Sequence, residues 1–120
     1  AAVSAVLDHI IAHGDTLYPE LNANANHLCN TMNEWWRAKG VALSVHCFGS
    51  QVRFTLPSEV QMSFFHTLKM HGVYCWEGRT CFLSTAHTRT VVDEVVAALK
   101  RTTDDLEAAG ADLHRARDQP

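Results

Sequence analysis

The amino-acid sequence predicts a two-layer α+β domain in which helices cover one face of a small antiparallel or mixed sheet. Two observations carry this expectation. Apolar residues recur at three- and four-residue spacing in four segments, and they alternate with polar residues in four short runs. The short runs come as neighbouring pairs separated by Gly-containing turns, so strand pairing is local and antiparallel. Helices that carry a single apolar stripe then have one sheet face to cover. The expected order is helix, helix, strand, strand, helix, strand, strand, helix over residues 1–110, followed by a polar, frayed tail at 111–120.

Val3, Val6, Leu7, Ile10 and Ile11 form the first helical stripe, which Gly14 is expected to end. Asp15 or Thr16 then caps a second helix with Pro19 in its first turn. That helix carries Leu21, Ala25, Leu28, Met32 and Trp35 on one side, and its Asn22, Asn24, Asn26, Asn30 and Asn33 read as a solvated face. Gly40 stops it at a C′ position.

Val41, Leu43, Val45 and Cys47 alternate with Ser44 and His46, and after Gly49-Ser50 the period of two resumes with Val52, Phe54 and Leu56 inward. This is a hairpin. Ser58-Glu-Val-Gln61 is a capping-box pattern for a third helix with Val60, Phe64, Phe65 and Leu68 on its core face, ended by Gly72. Residues 73–76 and 80–83 flank a Glu77-Gly78 turn signal and read as a second hairpin. Thr88 or Thr90 caps the last helix, striped by Val92, Val95, Val96, Leu99 and Leu106 and ended by Gly110.

Composition excludes several function classes. The formal charge of −3 comes with scattered Lys and Arg, whereas nucleic acid needs a clustered basic footprint. No apolar run approaches membrane-spanning length, and no basic leader region precedes the first stripe, so neither membrane insertion nor a secretory signal is expected. The four cysteines, Cys29, Cys47, Cys75 and Cys81, lack CxxC spacing and read as reduced, small apolar residues of a cytoplasmic protein. A Cys75–Cys81 bridge across the second hairpin is the other geometry that spacing admits. His27/Cys29 and His46/Cys47 diverge on their elements, which argues against a metal site.

The chemistry-bearing cluster is Ser84-Thr-Ala-His-Thr88, placed where a strand hands over to a helix. Ser84 and His87 are three apart, but a hydrolytic triad would also need an orienting carboxylate and an oxyanion hole. Lys39, Lys69 and Lys100 fall at helix ends or exposed helix positions, not in the desolvated pocket that a Schiff-base lysine requires.

The segment Gly72-Val-Tyr, Trp76-Glu-Gly-Arg and Phe82-Leu-Ser-Thr-Ala-His-Thr88 resembles the C-terminal small domain of class-III, glutamate-1-semialdehyde-aminotransferase-like enzymes that use pyridoxal 5′-phosphate (PLP). Leu17-Tyr-Pro-Glu-Leu21, Gly49-Ser50 with Arg53-Phe54, and the helix after Thr88 are similar to that family in the same order, over residues 1–110. Around Trp76-Glu-Gly-Arg79 the wording is most similar to aminotransferase modules of hybrid polyketide/non-ribosomal-peptide synthases.

The resemblance implies an amino-group transfer from an amino-acid donor to a keto substrate, carried on an acyl or peptidyl carrier protein. It also implies that PLP, its lysine and the phosphate-binding groups belong to a large domain of the same polypeptide, commonly in a homodimer. By the same resemblance, Arg79, Ser84 and His87 are the expected substrate-binding residues of this chain, and none of its residues is expected to be catalytic or to hold the cofactor or a metal. Arg79 stands where semialdehyde aminomutases tend to carry Glu, and Cys81 stands where ornithine-type relatives carry a carboxylate-binding Arg. Val91 replaces a usual acidic residue, so Thr90 with Asp93 is expected to supply the helix start instead. Read without the resemblance, the residues are equally those of a stand-alone, non-catalytic module that binds a ligand or a protein.

Overall fold

The computed structural model describes residues 1–114. It is an α+β domain whose elements run α1 (Ala2–Lys39), β1 (Ser44–Phe48), β2 (Gln51–Thr55), α2 (Ser58–Met70), β3 (Cys81–Phe82) and α3 (Arg89–Ala108). The three strands form one antiparallel sheet in the order β1-β2-β3. The chain measures 52 × 28 × 25 Å. At ~1.5 Å per residue, α1 alone is longer than either shorter dimension.

The two expected N-terminal helices are one. Gly14 and Pro19 both lie inside α1, with Gly14 in ordinary helical conformation and not at the positive φ of a helix end. The apolar stripe runs on through the break signals by Ile10, Leu17 and Leu21. Pro19 removes one backbone donor, a penalty of roughly 3 kcal/mol, and the helix nevertheless continues into a C-terminal half held by tertiary packing. The real stop is Gly40, where Gly40 N–H donates to Arg37 (3.1 Å) and Val41 N–H to Trp36 (3.2 Å). With φ of 74° at Gly40, this is the αL ending that an L side chain would strain.

The hairpin of β1 and β2 forms as expected, with Val45↔Phe54 and Cys47↔Val52 as inward pairs around a Gly49-Ser50 loop. Gly49 takes a φ of 60°, as the first residue of a II′ hairpin turn must. The second expected hairpin does not form. Residues 73–76 are irregular, although the turn survives, with Arg79 N–H donating to the Trp76 carbonyl at 3.1 Å. β3 pairs with β2 instead, through Gln51↔Phe82 and Val52↔Cys81, and Leu83 N–H extends the ladder to the Ser50 carbonyl at 2.9 Å. β3 covers the edge of β2 that β1 leaves open.

Two expected caps also differ. Ser58 makes no capping bond, since α2 begins from the Pro57 carbonyl. Thr88 caps α3 through Val91 N–H, while Asp93 pairs with His27 at 2.8 Å in place of supporting Thr90. The expected tail at 111–120 is not frayed at its start. Leu113 is buried, its carbonyl accepts Ala42 N–H at 2.7 Å, and Ala111 packs on the core. Residues 115–120 of the expected tail lie outside the described residues.

The core lies between the sheet and the three helices and centres on Met32, Trp36, Phe64, Leu68 and Leu99. Phe64 and Phe65 meet edge to face at 5.4 Å, with Phe54 of β2 against both. Trp36 Nε1–H donates to Thr103 Oγ1 at 3.0 Å, so the largest buried side chain keeps its polar atom paired.

The Asn-rich side of α1 is only in part a solvated face: Asn26 and Asn30 are exposed, whereas Asn22, Asn24 and Asn33 are half-buried. Asn33 accepts Val45 N–H (2.9 Å) and donates to the Val45 carbonyl (2.7 Å), latching the helix to the outer edge of β1. Asn26 accepts from the Cys47 thiol at 3.1 Å, and Asn24 reaches the start of α3. Asn at these positions sacrifices helix propensity for bonds that only a short amide can make. Among the described residues no helix is long and apolar enough to cross a membrane.

Candidate functional site

The strand-to-helix handover after β3 closes on itself. Ser84 N–H donates to His87 Nδ1 (2.9 Å), His87 N–H donates back to the Ser84 carbonyl (3.0 Å), and Ala86 N–H donates to Ser84 Oγ (3.3 Å). Ser84 Oγ also sits 3.1 Å from His87 Nδ1. Because Nδ1 accepts a backbone N–H, the neutral ring carries its proton on Nε2, which makes no hydrogen bond among the described residues. Ser84 and His87 are thus brought together, but as a turn. Among the described residues His87 bonds to no carboxylate, so the arrangement lacks the third member of a nucleophilic triad.

This turn forms one wall of a cleft of about 520 Å³. The opposite wall is the first half of α1, contributing His9, His13, Glu20 and Asn24, and Arg89 at the first turn of α3 lines the rim. His9 and His13 stack with ring centroids 4.5 Å apart, as i, i+4 neighbours can. His13 Nδ1–H donates to the His9 carbonyl at 3.2 Å. Asn24 ties the walls together: its Nδ2 donates to the His87 carbonyl (3.2 Å), and its Oδ1 accepts Arg89 Nε–H (3.1 Å).

Those bonds fix the guanidinium through Nε alone, leaving its two terminal nitrogens for a further acceptor. Beside the N-terminus of a twenty-residue helix, they favour an anionic group such as a carboxylate or phosphate.

Arg79 is not part of this cleft. It lies exposed on the Trp76–Arg79 turn, with its guanidinium 4.8 Å from the Trp76 ring centroid. The handover signal pointed to Ser84 and His87. It could not point to His9, His13, Glu20 or Asn24, which reach the site from a helix some sixty residues earlier. The i, i+4 spacing of His9 and His13 was the one local sign that they share a face.

The lysines are all engaged elsewhere. Lys39 pairs with Asp104 (3.0 Å) and Glu107 (3.2 Å), and these bonds, Asp104 first, raise its pKa above the usual lysine value. Lys69 lies over Tyr74 and Lys100 over Trp35. Among the described residues no group of three or more His, Cys, Asp or Glu side chains converges on a metal-sized site. No protein-family model matches the sequence.

Proposed function

We propose that this chain is the C-terminal small domain of a class-III PLP-dependent aminotransferase of the glutamate-1-semialdehyde-aminotransferase-like kind. The complete enzyme, in the cytoplasm, transfers an amino group from an amino-acid donor to a keto substrate held on an acyl or peptidyl carrier protein. The observation that carries this reading is the first half of α1, where Val3, Val6, Leu7 and Ile11 stand 74%, 58%, 53% and 83% exposed. Among the described residues no layer covers them. A large domain in the same polypeptide, dimerised in the complete enzyme, is a partner that would.

The residues present do not fit PLP itself. A lysine for the cofactor must be a desolvated amine of lowered pKa, and Lys39 is shifted the other way while Lys69 and Lys100 lie on aromatic faces near the surface. Cofactor chemistry therefore belongs to the large domain, and the chain alone does not transaminate. Its own contribution is a wall: the Ser84–His87 turn offers an imidazole N–H and Arg89 offers paired donors to an anionic substrate group. Arg79, whose cation stands where aminomutase relatives tend to carry Glu, suits a donor carboxylate or the phosphodiester of a phosphopantetheine tether.

Titrating PLP into the chain while recording the visible Schiff-base band tests the reading. The expected outcome is no saturable band. A borohydride-trappable adduct at a single lysine would overturn it in favour of a cofactor site of the chain's own. Clean monomeric sedimentation without binding of a hydrophobic dye would favour the stand-alone module.

A further inference from the structure

Gly14 is a glycine that nothing within the described chain requires. It sits inside α1 at an ordinary helical φ, where glycine weakens a helix relative to alanine. A Cβ added there meets only side-chain carbons of Tyr18 and Ile10, at 3.9–4.0 Å, which is ordinary van der Waals contact. The missing side chain therefore serves neither a turn nor a close approach inside the chain.

Its place in the stripe shows what it can serve. Val3, Leu7, Ile10, Gly14, Leu17 and Leu21 alternate at spacings of four and three residues. That alternation is the seam along which two packed helices meet. None of the six is buried, and Val3 and Leu7 are exposed. Helix axes pack roughly 8–10 Å apart according to the side chains at the contact, and a glycine in the seam is a dent that receives a partner's side chain.

The borders of the seam select the partner. Asp8 and Asp15, three and four residues from Ile11, run along one border. Glu20, three residues from Leu17, stands on the other beside His9 and His13. Among the described residues none of these three carboxylates enters an ion pair. No Lys or Arg precedes Arg37 in the sequence. From the neighbouring element, α3 brings Arg89 to the rim of the cleft, where Asn24 holds its Nε. A second copy of the arm would set carboxylates against carboxylates. An anionic bilayer attracts helices rich in Lys and Arg, which this arm is not. A helix whose apolar ridge is bordered by Lys or Arg gains along both borders.

We propose that the first half of α1 docks an amphipathic helix with basic borders, presented by the large domain, with one apolar side chain of that helix seated over Gly14. This inference rests on the aminotransferase reading and adds the shape and charge of the surface that covers the arm.

The test uses the full chain and two fluorescein-labelled synthetic helices of about 21 residues, three heptads with Leu at the seam positions. One is bordered by Lys and the other by Glu, and binding is read by fluorescence anisotropy. The Lys-bordered helix is expected to bind saturably, at least about tenfold tighter than the Glu-bordered one, and to weaken as salt is raised. Gly14→Leu, which fills the dent with a good helix former, should cut its affinity by about tenfold while leaving the circular dichroism spectrum unchanged. The combined Asp8→Asn, Asp15→Asn and Glu20→Gln variant should remove the preference for Lys over Glu.

Equal binding of the two helices by the wild-type chain, or Lys-helix binding indifferent to Gly14→Leu, would overturn the proposal. A sedimenting dimer that Gly14→Leu dissociates would overturn it in favour of a second copy. Co-sedimentation with phosphatidylcholine–phosphatidylglycerol vesicles, abolished by Ile11→Asp, would overturn it in favour of a bilayer. These failures leave the aminotransferase reading standing, whereas a single-lysine PLP adduct on the chain would overturn that reading and, with it, the large domain as the source of the helix.

Discussion

The two halves of α1 share one backbone but face opposite circumstances. From Ala25 onward the helix buries Ala25, Leu28, Cys29, Met32 and Trp36 beneath the sheet and α3. Before that point none of its residues is buried, although its apolar stripe is just as regular. Amphipathic spacing therefore tells which side of a helix wants cover. It does not tell whether this chain supplies the cover. The second half is held by tertiary packing, and the first half extends from it as an arm, with the cleft lying where the arm meets the start of α3.

If that contrast is right, substitutions in the two halves should diverge. The largest effect is expected for Trp36→Ala, which empties the centre of the core and removes the bond to Thr103. Urea denaturation should show a loss of about 3–5 kcal/mol, and a loss below about 1 kcal/mol would mean the core is centred elsewhere. Next comes Asn33→Ala, which strips both partners from the part-buried Val45 backbone. It should cost about 2–3 kcal/mol, with faster amide exchange at Val45, and wild-type exchange there would count against the latch. The smallest stability effect is expected for Ile11→Asp on the arm, within about 0.5 kcal/mol. That variant should nevertheless bind less of a hydrophobic dye, and a loss of stability matching the core substitutions would erase the distinction between the halves.

The features legible in the sequence were those set by short-range chemistry. The alternation through Val45 and Val52 with Gly49-Ser50 between them sufficed for the hairpin and its faces. Gly40, Gly72 and Gly110 marked helix ends because each sits at positive φ after the last turn. Gly14 looks the same in the sequence but is helical, since what distinguishes it is packing further along the chain. The strand character of Cys81 and Phe82 was legible, but their partner was not. The turn at Glu77-Gly78 suggested residues 73–76, whereas the strand that Cys81 and Phe82 join is β2, some thirty residues earlier. At the site, Ser84 and His87 were visible from the handover between elements. Asn24 was not, because an amide that bonds a distant carbonyl and one that faces water have the same local sequence.

The Asn33 latch has a consequence for the sheet as a whole. β1 is an end strand, and an end strand offers an unpaired row of N–H and C=O groups to any extended chain that drifts past, which is how fibrils recruit. Val45 lies at the middle of that row, and both its groups are occupied by one side-chain amide from α1. A foreign strand cannot dock along β1 without first displacing it. A single asparagine thus blunts the edge as a capping strand would, using no additional backbone.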